Sequence, residues 1–293
     1  MNLQGKRVLV TGVGIKPVKH IFMDITTGLP SHTPVIIGKE EYKANIGAAV
    51  AYECVKAGAV VHLVARTEDN LQKVKQWIAN EIPGAKVEYS AVDLNDLPAL
   101  AAMIASLPAD LPLYWVQSVG LGGGTVKVKD DNPYLLIEDI PPELVEAELT
   151  VLKNTIALLQ LLLPRFRQQK ETRVCIVSSM SAIRSVVSGS MHMAAKGAIS
   201  RFANAAMIEL APENIFITDI RPGGSDTGLY DSEVVSKTII KMSQTYGYDW
   251  SKGGPRLIPP SSAGKAVVTA LTSEGHITSI NMVGRGQWPH EGS

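Results

Sequence analysis

The chain carries no excess of either charge: 28 Lys and Arg balance 28 Asp and Glu across 293 residues. No block rich in Lys and Arg disturbs that balance, which argues against nucleic acid or an anionic membrane as the main partner. No apolar run is long enough to span a bilayer. The first residues, MNLQGKRVLVTG, lack the apolar core of a signal peptide and lead straight into a strand-like run. Cysteine is scarce. Cys54 and Cys175 both fall inside apolar patterns, so they read as buried free thiols in a reducing compartment rather than as a disulfide. No metal-ligand cluster and no Cys/His nucleophile spacing stands out. The expectation is a soluble cytoplasmic protein with no metal site.

What the chain does have is alternation. Apolar runs at Arg7–Val10, Val60–Val64, Val87–Val92, Leu113–Val116, Val174–Val177, Phe216–Ile220 and Ile280–Val283 read as strands covered on both faces. Helical patterns separate most of them, at Ile46–Ala57, Asn70–Ile82, Leu97–Ser106, Pro142–Gln168, Ser190–Leu210 and Ser262–Leu271. This predicts an α/β fold: a Rossmann-type, doubly wound parallel sheet of about seven strands in a single domain, residues 1–293. Two segments interrupt it. Residues 15–44 sit where a tight strand-to-helix turn belongs, and residues 227–257 lie between the sixth strand and the last helix. Long excursions of this kind tend to be flaps or lids.

Several short motifs stand at strand ends. Thr11-Gly12 follows the first strand, and Asn45-Ile46-Gly47 opens the first helix. Asp93-Leu94 follows the third strand, and Gln117-Ser118-Val119-Gly120 the fourth. Asn154 lies mid-helix. Ser179 ends the fifth strand, His192 and Lys196 lie four apart on the next helix, and Pro222-Gly223 with Thr227 follows the sixth. In this order the chain resembles the short-chain dehydrogenase/reductase family over nearly its whole length. The resemblance implies catalytic roles for Asn154, Ser179, His192 and Lys196. It also implies cofactor contacts from Thr11, Gly12, Ile46, Gly47, Arg66, Asp93, Leu94, Gly120, Lys196, Pro222, Gly223 and Thr227. A glycine turn at a helix N-terminus lets backbone N–H groups approach a pyrophosphate, which agrees with that assignment. The second strand ends in Ala65-Arg66 where an NAD-preferring member would carry a carboxylate. Arg66 can pair with a 2′-phosphate, so NADP(H) is the expected cofactor.

One position departs from the family. The residue four before the lysine is usually a tyrosine that protonates the substrate oxygen, and here it is His192. No tyrosine lies between Tyr134 and Tyr230, and Gly189 stands where an enoyl reductase would place its own. Three readings follow. His192 can be the general acid, since an unperturbed imidazole is roughly a quarter protonated at pH 7. It can be a substrate-binding residue in a reaction that needs no such acid. It can be a relic in a protein that only binds the dinucleotide.

The 15–44 insertion predicts a hairpin flap, with strands at His20–Thr27 and Pro34–Ile37 around Gly28-Leu29-Pro30. Lys16, Lys19 and Lys43 are then candidates to reach phosphate oxygens. The 227–257 segment is rich in apolar residues and reads as a lid over a mainly apolar small-molecule substrate, including a carrier-bound acyl chain. Apolar faces on the long helices predict a homodimer or homotetramer. The resemblance thus implies an NADPH-dependent reductase of a carbonyl group, a 3-ketoacyl or polyketide-like ketone being favoured. The alternatives are a C=C reductase or lyase of the same type, or a non-redox, regulatory NADP(H)-binding protein.

Overall fold

The structure is a computed structural model and describes residues 2–19, 34–120, 135–185, 188–231, 257–284 and 287. Strand β1 (Arg7–Thr11) reads RVLVT and is buried along its whole length. The same continuous apolar character forms β5 (Val60–Ala65), β7 (Leu113–Gln117), β8 (Thr172–Val177) and β9 (Ile215–Pro222). Edge strands β6 (Val87–Ala91) and β10 (Ser279–Met282) are less buried. Together they make one seven-stranded sheet in the order β10-β9-β8-β7-β1-β5-β6, with every pairing parallel. The order reverses at β1, which lies between β5 and β7. Ligands in such sheets bind beyond the carboxyl ends at that reversal.

Helices cover both faces. On one, α1 (Ile46–Lys56), α2 (Glu68–Glu81) and α6 (Pro260–Thr272) pack a core that includes Val8, Val50, Leu71 and Val267. Here α1 and α6 approach closely at Gly264, where a Cβ would stand 2.7 Å from the Ala49 carbonyl oxygen. On the other face, α3 (Leu97–Ser106), α4 (Pro142–Phe166) and α5 (Ser190–Leu210) pack a core that includes Leu9, Trp115, Leu158 and Ile199. Cys54 and Cys175 are free and buried, and burial pushes both thiols above their ordinary pKa. No helix among the described residues is long and apolar enough to cross a membrane.

The described part of the insertion adds a strand that the sequence pattern did not show. Three antiparallel strands, β2 (Ile15–Pro17), β3 (Val35–Ile37) and β4 (Glu40–Ala44), pair in the order β2-β4-β3. The hairpin partner of β3 is β4, across Gly38-Lys39. Gly38 takes φ +65, which glycine adopts without strain. The charged run EEYKA hid β4, although its buried second half packs against the domain. The expected strand His20–Thr27, the loop after Gly120 and most of the 227–257 segment lie outside the described residues.

Candidate active site at the carboxyl ends of the strands

The turn after β1 is intact despite about thirty inserted residues. Asn45 closes it by capping α1: its side-chain oxygen accepts from the Ala48 amide at 2.9 Å and from the Gly14 amide at 3.0 Å. Its Nδ2 donates to the Gly12 carbonyl at 2.8 Å, and its own amide donates to the Gly14 carbonyl. The insertion therefore leaves and re-enters at one point. Gly12 has φ +84, and a Cβ on it would lie 2.5 Å from the Ser118 carbonyl oxygen. A Cβ on Gly47 would lie 2.6 Å from the Gly12 carbonyl oxygen. Both positions thus require glycine. The first-turn amides of Ile46 and Gly47 have no partner within the helix, which makes this end an anion site.

Beside the turn lies a cleft of about 540 Å3. Gly12, Arg66, Asp93, Leu94 and Gly120 all line it. Arg66 is exposed at the tip of β5. Asp93 accepts from both nitrogens of Asn95, at 2.9 Å each, which shapes the floor of the cleft. Thr11, expected as a cofactor contact, points elsewhere. It is fully buried, donates to the Val116 carbonyl and accepts from the Trp115 indole, so its hydroxyl fastens the sheet from within.

Farther along the sheet edge, Ser179 follows β8 and starts a short 3-10 turn, Met180–Ala182. Its hydroxyl accepts from the Ser181 amide at 3.1 Å and lies 3.5 Å from the Pro222 carbonyl. Pro222 ends β9, and the Gly223 amide donates to Met282 of β10. Thr227, half-buried, donates its amide to Ser225. His192 and Lys196 lie on one face of α5, one turn apart. The Lys196 ammonium sits 3.5 Å from the carbonyls of Val119 and Val177, at the ends of β7 and β8.

Electrostatics separates the two. Lys196 is only 6% exposed, and burial lowers its pKa to about 8 against the opposing pull of Glu148 and Asp219. His192 falls to about 3, chiefly through burial and then through the Lys196 charge. Its place in the first turn of a helix also disfavours an imidazolium. The ring is neutral at pH 7. The quarter-protonated imidazole expected from an unperturbed histidine is therefore absent.

Two expectations about this site need correction. Asn154 does not join Ser179, His192 and Lys196. Its Nδ2 donates to Asn95 Oδ1 at 2.9 Å, and it lines the cleft beside Arg66 and Asp93. The buried face of α4 is instead the stripe Leu144, Glu148, Val151, Thr155. Lys43 is not available to a phosphate. It is 1% exposed and pairs with Asp226 at 2.8 Å and Asp231 at 2.6 Å, which ties β4 to the segment after β9. Lys16 is exposed, and its Cδ would lie 3.7 Å from a Cβ placed on Gly228.

Besides Asp226, two carboxylates that the sequence pattern did not single out are buried, one on β9 and one on α4. Asp219 accepts from the hydroxyls of Ser178 and Ser200, the latter at 2.6 Å, and from Arg221 Nε at 2.7 Å. It therefore links the strand residue before Ser179 to the turn of α5 after Lys196. A charged residue inside the apolar run FITDI was its signal. Glu148 breaks the apolar stripe of α4 at a core position.

A family pattern described as short chain dehydrogenase matches residues 36–236, more than half of the chain. The chain belongs to the short chain dehydrogenase family. Among its relatives, an Anopheles gambiae dehydrogenase/reductase SDR family protein 7-like is 27% identical over 190 residues, 64% of this chain and 57% of that protein. A 3beta-hydroxysteroid dehydrogenase from Mediterraneibacter gnavus is 26% identical over 212 residues, 70% of this chain and 72% of that protein. The first of these relatives is matched over little more than half its length. Among solved structures, an NADPH-bound short chain oxidoreductase of Pseudomonas aeruginosa with an atypical catalytic center superposes with TM-score 0.71 at 18% identity, covering 96% of each chain. L-sorbose reductase of Gluconobacter frateurii, complexed with NADPH and L-sorbose, gives 0.69 at 20% identity over 98% of each. These two likenesses establish the shared fold.

Proposed function

We propose that this short chain dehydrogenase is an NADPH-dependent reductase of a carbonyl group. The reading is supported by Ser179 after β8, close to the Pro222 carbonyl at the end of β9, and by the Lys196 ammonium at the carbonyls that follow β7 and end β8, with His192 one turn before it on α5 and the glycine turn at α1 on the same edge of the sheet. The cofactor fits that arrangement. Gly12 and Gly47 let the turn, the loop after β7 and the start of α1 pack backbone to backbone, and the Ile46 and Gly47 amides at that helix end could hold a pyrophosphate. Arg66 answers a 2′-phosphate. Asp93 and Leu94 would border the cofactor's adenine, Lys196 would hold its nicotinamide ribose, and Pro222, Gly223 and Thr227 would border its nicotinamide. When bound, the cofactor supplies a hydride.

The protein's own part is to hold and polarise the carbonyl. Ser179 donates its hydroxyl hydrogen to the carbonyl oxygen. His192, neutral, offers a ring N–H as a second donor, stabilising the negative charge that develops there. A neutral imidazole suits this role better than a cation crowded against Lys196. The substrate proposed is a small, mainly apolar ketone, such as a 3-ketoacyl or polyketide-like compound, in a cytoplasmic homodimer or homotetramer.

A second reading is a regulatory NADP(H)-binding protein, favoured by the neutral state of His192, which takes away the acid expected at that position. Fluorescence titration with NADPH and a ketone panel separate the two. The reductase consumes NADPH with at least one ketone, whereas the binding protein saturates with NADPH and turns over none.

A further inference from the structure

Neutral His192 leaves the site in need of a proton source, and one cation stands close by. Carboxylates on two elements favour the charged form of Lys196 against the cost of burial: Asp219 of β9, itself paired with Arg221, and Glu148 of α4. On its own helix Lys196 faces His192.

The position of Glu148 follows from the register of α4. Thr155 accepts at its hydroxyl from Gln117 Nε2 at 2.8 Å, which fixes that turn of α4 level with the last residue of β7. Glu148 lies seven residues earlier on the same face, two turns and about 10 Å nearer the helix start. A crossover helix runs opposite to the strands it connects, so Glu148 stands beyond the end of β7. That is the level of Val119, whose carbonyl the Lys196 ammonium approaches. Glu148 is 3% exposed at a position where its neighbours on the stripe are Leu144 and Val151. A carboxylate so placed contributes little to packing, but its charge acts strongly in this low-dielectric setting.

We propose that Glu148 is a positioning residue for proton delivery: its buried carboxylate holds Lys196 in the ammonium form, and that ammonium supplies the proton of the reduction. The proposal deepens the reductase reading and rests on it. As the carbonyl carbon accepts hydride from the reduced nicotinamide, the carbonyl π pair moves to oxygen. One Lys196 Nζ–H bond breaks and its proton passes to that oxygen. The ketone becomes an alcohol, the cofactor is left oxidised, and the neutral amine recovers a proton from water.

The test begins on the whole chain without cofactor. Acetylation of Lys196 by acetic anhydride, followed by peptide mass spectrometry from pH 6 to 10.5, reports the fraction of free amine. The wild-type midpoint is expected near 8. In Glu148→Gln it falls by about one pH unit, and Lys196 reacts about fivefold faster at pH 7. Glu148→Asp, with the charge retained, moves back toward wild type and stands in if the glutamine variant fails to fold. A wild-type midpoint at 10 or above, or a midpoint that neither variant moves, overturns the proposal. A second arm follows kcat/KM for ketone reduction against pH. The decline at high pH starts about one pH unit lower in Glu148→Gln, because the charged lysine is the active form. A labelling shift with an unmoved rate profile overturns the proton-delivery role. If no ketone is reduced, the reductase reading fails, while labelling still decides whether Glu148 governs Lys196.

Discussion

Asn45 reaches across 33 positions of sequence to donate a 2.8 Å hydrogen bond to the carbonyl of Gly12. That bond, with the cap it makes on Ala48, gives the phosphate turn its shape although the insertion splits it. Asn45→Ala removes both. The expected result is a loss of about 1–2 kcal/mol in urea unfolding together with weaker NADPH binding. Asn45→Asp keeps the cap but loses the donor to Gly12, so it recovers stability more than affinity. Equal affinity in all three proteins would show that the turn does not depend on this residue.

Arg66 is expected to set cofactor choice. Arg66→Ala should raise the Kd for NADPH by about 10- to 100-fold, the scale of a lost charge-assisted contact, and leave that for NADH nearly unchanged. Fluorescence titration of the two cofactors reads this directly. A parallel loss for both would place Arg66 outside 2′-phosphate recognition.

The depressed pKa of His192 has a consequence for stability. The folded ring resists protonation down to about 3, while the unfolded ring takes a proton near 6.5. Between these values the unfolded state binds more protons, so stability is held above pH 6.5 and lost as pH falls toward 3. His62, also lowered chiefly by burial, acts in the same direction. Urea unfolding of wild type and His192→Asn between pH 7 and 4 isolates the contribution of His192. The variant's curve should be the flatter, and parallel curves would mean that the ring is solvated.

Much of this fold was legible because its signals are local. Strands β1, β5, β7, β8 and β9 are continuous apolar runs, and helix α5 has the bounds its pattern predicts, Ser190–Leu210. The cleft residues Gly12, Arg66, Asp93, Leu94 and Gly120 were legible because each follows a strand end. What escaped depends on rotation and partners. Asn154 and Glu148 are six residues apart on one helix, and only packing shows which of them faces inward. Lys43 looked like a surface lysine because its partners, Asp226 and Asp231, lie more than 180 residues away. Strand β4 escaped because only half of it is buried.

A reductase of the kind proposed moves hydride from NADPH to the carbonyl carbon of its substrate. The direct measurement is mass analysis of products after incubation with NADPH deuterated at the transferring position and a panel of 3-ketoacyl and polyketide-like ketones. Deuterium is expected on the carbinol carbon of at least one alcohol, with His192→Phe reducing that transfer by about 100-fold or more while NADPH still binds. Saturable NADPH binding with no deuterium in any product would contradict it.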